Sequence, residues 1–222
     1  ETITKIPTQP VAQMPQSLKV SLALMARLSN DLMAASLLAI RGYPTQAAIV
    51  VASLYECAFT IAYIGGDEQL AQRWVDYSDP TQSFAKVPEM TRSGLAKLGV
   101  SNPERQAAME YRVYSQLCMA KHANPLYQMQ HGHQEVGSSL VISNGPDTSE
   151  PAIRAAWFAL EHSVGLAFIA LKSFISNHVP REQQNELLEK LKVVGQTRKT
   201  LEGKAKKRWG STDPFPGKWR TF

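Results

Sequence analysis

RGYPTQAAIVVASLYECAFTIAY, residues Arg41 to Tyr63, is the stretch that decides the fold. It reads as one long helix reached through a Gly-Tyr-Pro turn, and Glu56 is its single charge between Arg41 and Asp67. Proline in the first helical turn is tolerated because the N–H it lacks has no helical partner there. On a wheel of about 100° per residue, Val50, Val51, Leu54, Ala58, Ile61 and Ala62 fill more than a third of a turn. A two-helix seam needs less. The arc therefore predicts neighbours on more than one side, with this helix at the centre.

Working outward, 222 residues suffice for one large domain, and the 44% hydrophobic content is that of a globular protein. The two cysteines, Cys57 and Cys118, both fall inside predicted helices and support no disulfide framework, which points to a reducing, cytoplasmic setting. The first residue is Glu1 rather than Met, and Glu1 to Gln16 contains no apolar run of the secretory type. The uncharged run from Gly42 to Tyr55 is fourteen residues long, against about 20 for a membrane span. Trp157 to Phe174 is interrupted by Glu161, His162 and Lys172. The expectation is a soluble protein without a membrane partner.

In chain order, residues 1–16 carry three prolines and little periodicity, predicting an extended arm. From Ser17 the apolar residues recur at three and four through Leu18, Leu22, Met25, Leu28, Leu32 and Ala35, so a helix runs to about Ile40. The short link makes it an antiparallel hairpin with the central helix, which Gly65-Gly66 ends. Asp67 to Tyr77 predicts a short helix capped by Asp67. Thr81 to Leu98 predicts one or two short helices broken near Pro88, and Asn102-Pro103-Glu104 starts a helix to about His122. Ala123 to Ser149 is irregular, with a β-like run from Leu140 to Ser143. Two further helices follow, Pro151 to about Asn177 and Pro180 to about Gly195. The fold is an all-α bundle of six to eight helices over residues 17–197.

Residues 198–222 form a basic aromatic tail with eight Lys or Arg against Glu202 and Asp213, so its net charge is +6 while the other 197 residues sum to −1. Lys204, Lys206, Lys207, Arg208, Trp209 and Trp219 form a candidate nucleic-acid surface, charges on phosphates and rings on bases. The competing reading has the tail pinned to the bundle by its aromatic residues, extended at Pro214 and Pro216.

On the helix Pro103 to His122, Val113, Met109, Leu117 and Ala120 form a core face, with Glu110, Arg105, Arg112 and Lys121 on the flanks. Opposite the core lie Tyr111, Ser115, Cys118 and His122, a stripe that predicts a second packed surface or a polar cleft. His122 is the candidate acid or base, with Arg112, Tyr111 and Ser115 beside it. The alternative is a structural histidine favoured by the helix C-terminus. A polar pocket of Arg41, Glu56, Cys118 and Asn124 extends this site, with Arg41, Arg27 or His122 as partner for Glu56. Equally, Glu56 can occupy a solvent strip. His122, His131 and His133 sit close in sequence, but no Asp is interleaved and Glu135 is the nearby carboxylate, so no metal and no cofactor is expected.

Ala39-Ile40-Arg41-Gly42, Ala47-Ala48, Ser53-Leu54-Tyr55-Glu56, Tyr63, Trp74 and Tyr77 form one signature. Tyr111-x-x-Tyr114-Ser115 followed by His122-Ala-Asn124-Pro125 forms a second. Together they resemble a widespread bacterial all-helical family known only as a domain of unknown function, over roughly residues 20 to 175. That family is loosely similar to HEPN helical domains, many of them metal-independent ribonucleases whose signature is Arg and His separated by four to six residues. Here nine residues separate Arg112 from His122, and seven separate Arg154 from His162. The resemblance implies a helical bundle and no established activity. Two functions are carried forward: a helical interaction module, binding a protein or nucleic-acid partner and self-associating through a long helix, or a HEPN-like ribonuclease using His122.

Overall fold

The computed structural model describes residues 11–79, 84–122, 133–136, 139–142 and 145–211. Seven α-helices are present among them. They are α1 (Gln16–Ile40), α2 (Pro44–Ile64), α3 (Glu68–Val75), α4 (Val87–Lys97), α5 (Pro103–Lys121), α6 (Glu150–His178) and α7 (Arg181–Trp209). A 3-10 turn, Val11–Gln13, precedes α1. Between α5 and α6 lies an antiparallel hairpin of β1 (His133–Val136) and β2 (Ser139–Ile142), which pairs Glu135 with Leu140.

The all-α bundle is the fold expected, and α2 is its axis: α1, α4, α5 and α6 all pack on it. Fifteen of its 21 residues are buried, including Tyr55, Phe59 and Leu54 at 0% exposure. At the α1–α2 corner, Tyr43 N–H donates to Leu38 O at 2.8 Å and Gly42 N–H to Ala39 O at 3.2 Å. This is a Schellman turn, and it sets Gly42 at φ 81°, a left-handed position suited to glycine. Asp147 N–H then bonds Gly42 O at 2.8 Å, tying the segment before α6 to the hairpin corner.

Charged side chains of neighbouring helices close several helix ends. At the start of α1, Pro15 supplies no side-chain cap. Instead the Glu68 carboxylate accepts from Gln16 N–H at 2.7 Å, Ser17 N–H at 3.2 Å and the Ser17 hydroxyl. Burial pushes the Glu68 carboxyl up, and these donors more than offset it, leaving it below its ordinary value. Lys97 Nζ of α4 donates to Tyr63 O at 2.5 Å at the end of α2, and Lys172 Nζ of α6 to Leu98 O at 2.9 Å. Each places opposite charge on a helix dipole and satisfies an orphan group.

Two boundaries differ from the sequence reading. Pro88 sits in the first turn of α4 and starts one helix rather than breaking two, as proline tolerates that position. Helix α7 does not stop near Gly195 but continues to Trp209 and ends at Gly210, φ 72°. Contacts with α6 hold it helical through Gly195 and Gly203: Leu191 and Ala205 are buried, and Trp157 Nε1–H donates to Leu201 O at 3.3 Å. The basic segment expected from residue 198 thus begins inside a helix.

Helices α1, α2 and α6 are each long and apolar enough to cross a membrane by length and composition. In α2 and α6 the bundle itself buries 78% and 67% of the apolar window, whereas in α1 it buries 28%. That difference singles out α1.

Candidate functional site

The Tyr111–His122 stripe does not close into one site. Tyr111 is 41% exposed and lines a shallow groove of about 580 Å³ with Arg92, Glu104 and Ala108. The Ser115 hydroxyl turns back to Tyr111 O at 2.8 Å, an i−4 bond within the helix. His122 is the exposed C-cap of α5. Arg112 lies ten residues earlier, about 15 Å along the helix, and lines a different cleft. The buried face of α5 is rotated from the expected one: Ala107, Glu110, Leu117 and Ala120 are buried, while Met109 is 56% exposed.

The partner of Glu56 is one that charge reasoning passed over. Tyr114 Oη donates to Glu56 Oε1 at 2.7 Å, and its ring lies 4.8 Å from that of Tyr55. Burial, then the Glu56 carboxylate, push the Tyr114 hydroxyl well above its ordinary value. Cys118 joins this group half-buried, its thiol raised mainly by burial, while Cys57 is pushed up to about 11 by the same cause. Arg41 is exposed at the end of α1. Arg27 is engaged elsewhere, donating to Ser53 Oγ at 2.8 Å beside Asp31. Asn124 lies outside the described residues.

A polar cleft does exist, between α5, α6 and α7. It encloses about 350 Å³ and is walled by Met109, Val113 and Phe158, with Glu110, Arg112, Glu161, Arg198 and Glu202 supplying charge and His162 beside them. Four of its polar residues are buried: Glu161 at 3%, Gln116 at 4%, and Glu110 and His162 at 8% each. Arg198 Nε reaches Glu161 Oε1 at 2.9 Å. It crosses α6 directly over Gly165, where a Cβ would stand 2.7 Å from the Arg198 Cζ.

His162 Nδ1 lies 2.8 Å from Phe158 O and 3.4 Å from Glu161 Oε2. A carbonyl only accepts, so Nδ1 carries a proton, and in the neutral tautomer this selects Nε2 is the acceptor. Gln106 Nε2 donates to Glu110 Oε1 at 2.8 Å, and Glu110 forms no ion pair among the described residues. Sequence reading had named the Arg154–His162 spacing but not this cleft, because Glu110 looked like a flank charge and Arg198 a tail charge. Arg154 Nη2 instead donates to Ser211 O at 3.2 Å. Among the described residues no three of His, Cys, Asp or Glu are placed to share a metal ion. His131 lies outside them, and His133 and Glu135 stand on β1.

The basic end of α7 is docked and helical through Trp209, while Pro214 and Pro216, where the tail was expected to be extended, lie outside the described residues. Trp209 Nε1–H and Arg208 Nε both donate to Glu150 Oε1, at 2.5 and 3.0 Å, and Arg208 Nη2 to Oε2 at 2.7 Å. The Trp209 ring stands edge-on to Trp157 with centroids 5.9 Å apart. Lys206 pairs with Glu202 at 2.5 Å, while Lys204 and Lys207 are exposed. Trp219 lies outside the described residues.

The outward face of α1 carries an apolar ridge that the described residues of the bundle leave uncovered. Met33, Leu37 and Ile40 are 63%, 59% and 76% exposed and follow one another at four and three residues. Ala23, Ala26 and Ser29 continue the ridge toward the N-terminus, also exposed. Arg27 and Asp31 flank it, paired at 3.6 Å.

Compared with known proteins, the chain matches no family model, no curated protein and no solved structure.

Proposed function

We propose that this chain is a soluble helical interaction module that self-associates, two copies docking antiparallel along α1. The observation that carries this reading is the exposed ridge of Met33, Leu37 and Ile40 on a helix only 28% buried over its apolar window. A second copy fits the ridge on two counts. Its large residues lie in the C-terminal half and its small ones, Ala23 and Ala26, in the N-terminal half. A two-fold axis near Ser29 therefore sets Met33 and Leu37 of each copy over the small residues of the other. The same axis brings Arg27 of each copy across from Asp31 of the other, so the flanking charges are self-complementary. Isologous contacts of this kind require such complementarity.

Magnitudes point to a weak dimer. Burying six large side chains, three per copy, at about 1.5 kcal/mol each yields about 9 kcal/mol. Association costs about 4–15 kcal/mol in lost freedom, so at most about 5 kcal/mol remains and the dimer forms at about 0.2 mM or above.

Sedimentation equilibrium across a concentration series tests this. Wild type is expected to move between monomer and dimer, and Leu37→Lys to stay monomeric with an unchanged circular dichroism spectrum. A wild-type chain that stays monomeric, or a Leu37→Lys dimer, overturns the proposal. So does co-flotation of wild type with phospholipid vesicles that Leu37→Lys abolishes, since the ridge would then be a membrane face.

A further inference from the structure

The cleft between α5, α6 and α7 holds polar groups that the bundle buries without using up. Glu110, 8% exposed, receives one donor, Gln106 Nε2, leaving Oε2 without a hydrogen bond among the described residues. His162, equally buried, spends Nδ1–H on Phe158 O, and Nε2 makes no hydrogen bond among the described residues. Arg154 Nε is the one fully buried side-chain N or O atom left unpartnered among the described residues, so these two atoms are not sealed and can be met from the cleft their residues line. Both are acceptors, so the partner they call for is a donor, and beside the Glu110 carboxylate a cationic one.

Of the other groups of the cleft, Glu161 is paired with Arg198 and Glu202 with Lys206, and two guanidinium groups have the opposite character. Arg198 uses Nε on Glu161 and leaves both Nη groups without a hydrogen bond among the described residues, and its side chain is 35% exposed. Arg112, on the same wall, is exposed. Two guanidinium groups nearer the solvent present donors suited to a carboxylate or phosphate. Between the acceptors and these donors lie Met109, Val113 and Phe158, which are apolar.

We propose that this cleft binds a small zwitterion with an apolar body. Its ammonium donates to Glu110 Oε2 and His162 Nε2, and its anionic end is held by Arg112 and Arg198. The volume of about 350 Å³ falls at the small end of ligand pockets, about 300–1,000 Å³, which suits a free amino acid with an apolar side chain or an aminoalkyl phosphate. Gly165 is part of the device, because a side chain there would displace Arg198 from the wall. Binding here is independent of self-association through α1.

Calorimetric titration of the full chain with leucine, phenylalanine and phosphoethanolamine tests the proposal. Long-range ¹H–¹⁵N spectra of the histidines provide a second readout. At least one compound is expected to bind and to shift the His162 Nε2 resonance. Glu110→Gln is expected to weaken that binding at least about tenfold, or about 1.4 kcal/mol. Arg112→Met, an exposed position, weakens it without touching the fold, and decides the matter should Glu110→Gln be unstable. Binding of the amino acids alone identifies the anionic end as a carboxylate, and of phosphoethanolamine alone as a phosphate. The proposal is overturned if no compound binds more tightly than about 10 mM, or if binding survives Arg112→Met with the His162 resonance unmoved.

Discussion

Gly165→Ala sets two effects of known sign against each other. In the interior of α6, alanine in place of glycine is worth about 1 kcal/mol in helix propensity. Against this, the new Cβ would stand 2.7 Å from Arg198 Cζ and 2.8 Å from Nη1, closer than atoms approach. The guanidinium is the end of a flexible, 35%-exposed side chain, so it can swing outward. Doing so breaks its 2.9 Å bond to Glu161, a carboxylate only 3% exposed. Removing one partner of a buried pair costs about 3–5 kcal/mol, and the partial exposure of Arg198 places this pair at the lower end. The net expectation is a loss of about 2 kcal/mol.

Urea denaturation of Gly165→Ala measures it, with Gly203→Ala on α7 as control. Gly203 has nothing within 4 Å of a built Cβ and should gain up to about 1 kcal/mol. In an Arg198→Met background the clash with the guanidinium is gone, and Gly165→Ala should cost less than in wild type. Equal stabilisation by Gly165→Ala and Gly203→Ala would refute the crossing of Arg198 over α6.

Tyr114→Phe should cost about 1.5–3 kcal/mol by removing a hydrogen bond to a charged group, read by chemical denaturation; a change below about 0.5 kcal/mol would mean that Glu56 is solvated. His178 is held below its ordinary 6.5, mainly by burial, with Ser21 Oγ 3.0 Å from Nε2. A depressed histidine contributes stability above pH 6.5 that is lost as pH falls toward its folded value. The melting temperature should therefore drop below about pH 6.5, and less steeply in His178→Gln. Trp209→Ala should lower stability by about 1–3 kcal/mol through loss of the Glu150 and Trp157 contacts, while Lys204→Ala should stay within about 0.5 kcal/mol. Equal effects of these last two in a thermal melt would mean that the basic end of α7 is undocked.

The bundle was legible because the apolar arc of Val50 to Ala62 is too wide for one neighbour and because Gly42, Asp67 and Asn102 mark helix ends by local chemistry. The cleft was not legible, for reasons of geometry. A wheel centred on Val113 leaves Glu110 at its edge, and the rotation that buries Glu110 comes from Tyr114 turning inward to Glu56. Arg198 read as one charge of a basic tail because the last helix was expected to end near Gly195. Packing against Trp157 and Glu161 carries α7 past it. Glu68, an acid in the first turn of its own helix, also caps α1, with Ser17 fifty-one residues before it.

The most direct measurement of the self-association claim is a cysteine placed on the proposed axis. Helices packed about 8–10 Å apart, less two Cα radii of about 2.3 Å, bring facing Cα atoms to about 3.4–5.4 Å, overlapping the disulfide range of about 4.4–6.8 Å. Ser29→Cys in a Cys118→Ser background, under mild oxidation at a concentration where wild type is dimeric, should form a disulfide-linked dimer. Gln69→Cys, exposed on α3, should not. A Ser29→Cys chain that stays unlinked, or a Gln69→Cys chain that links as fast, would contradict antiparallel docking along α1.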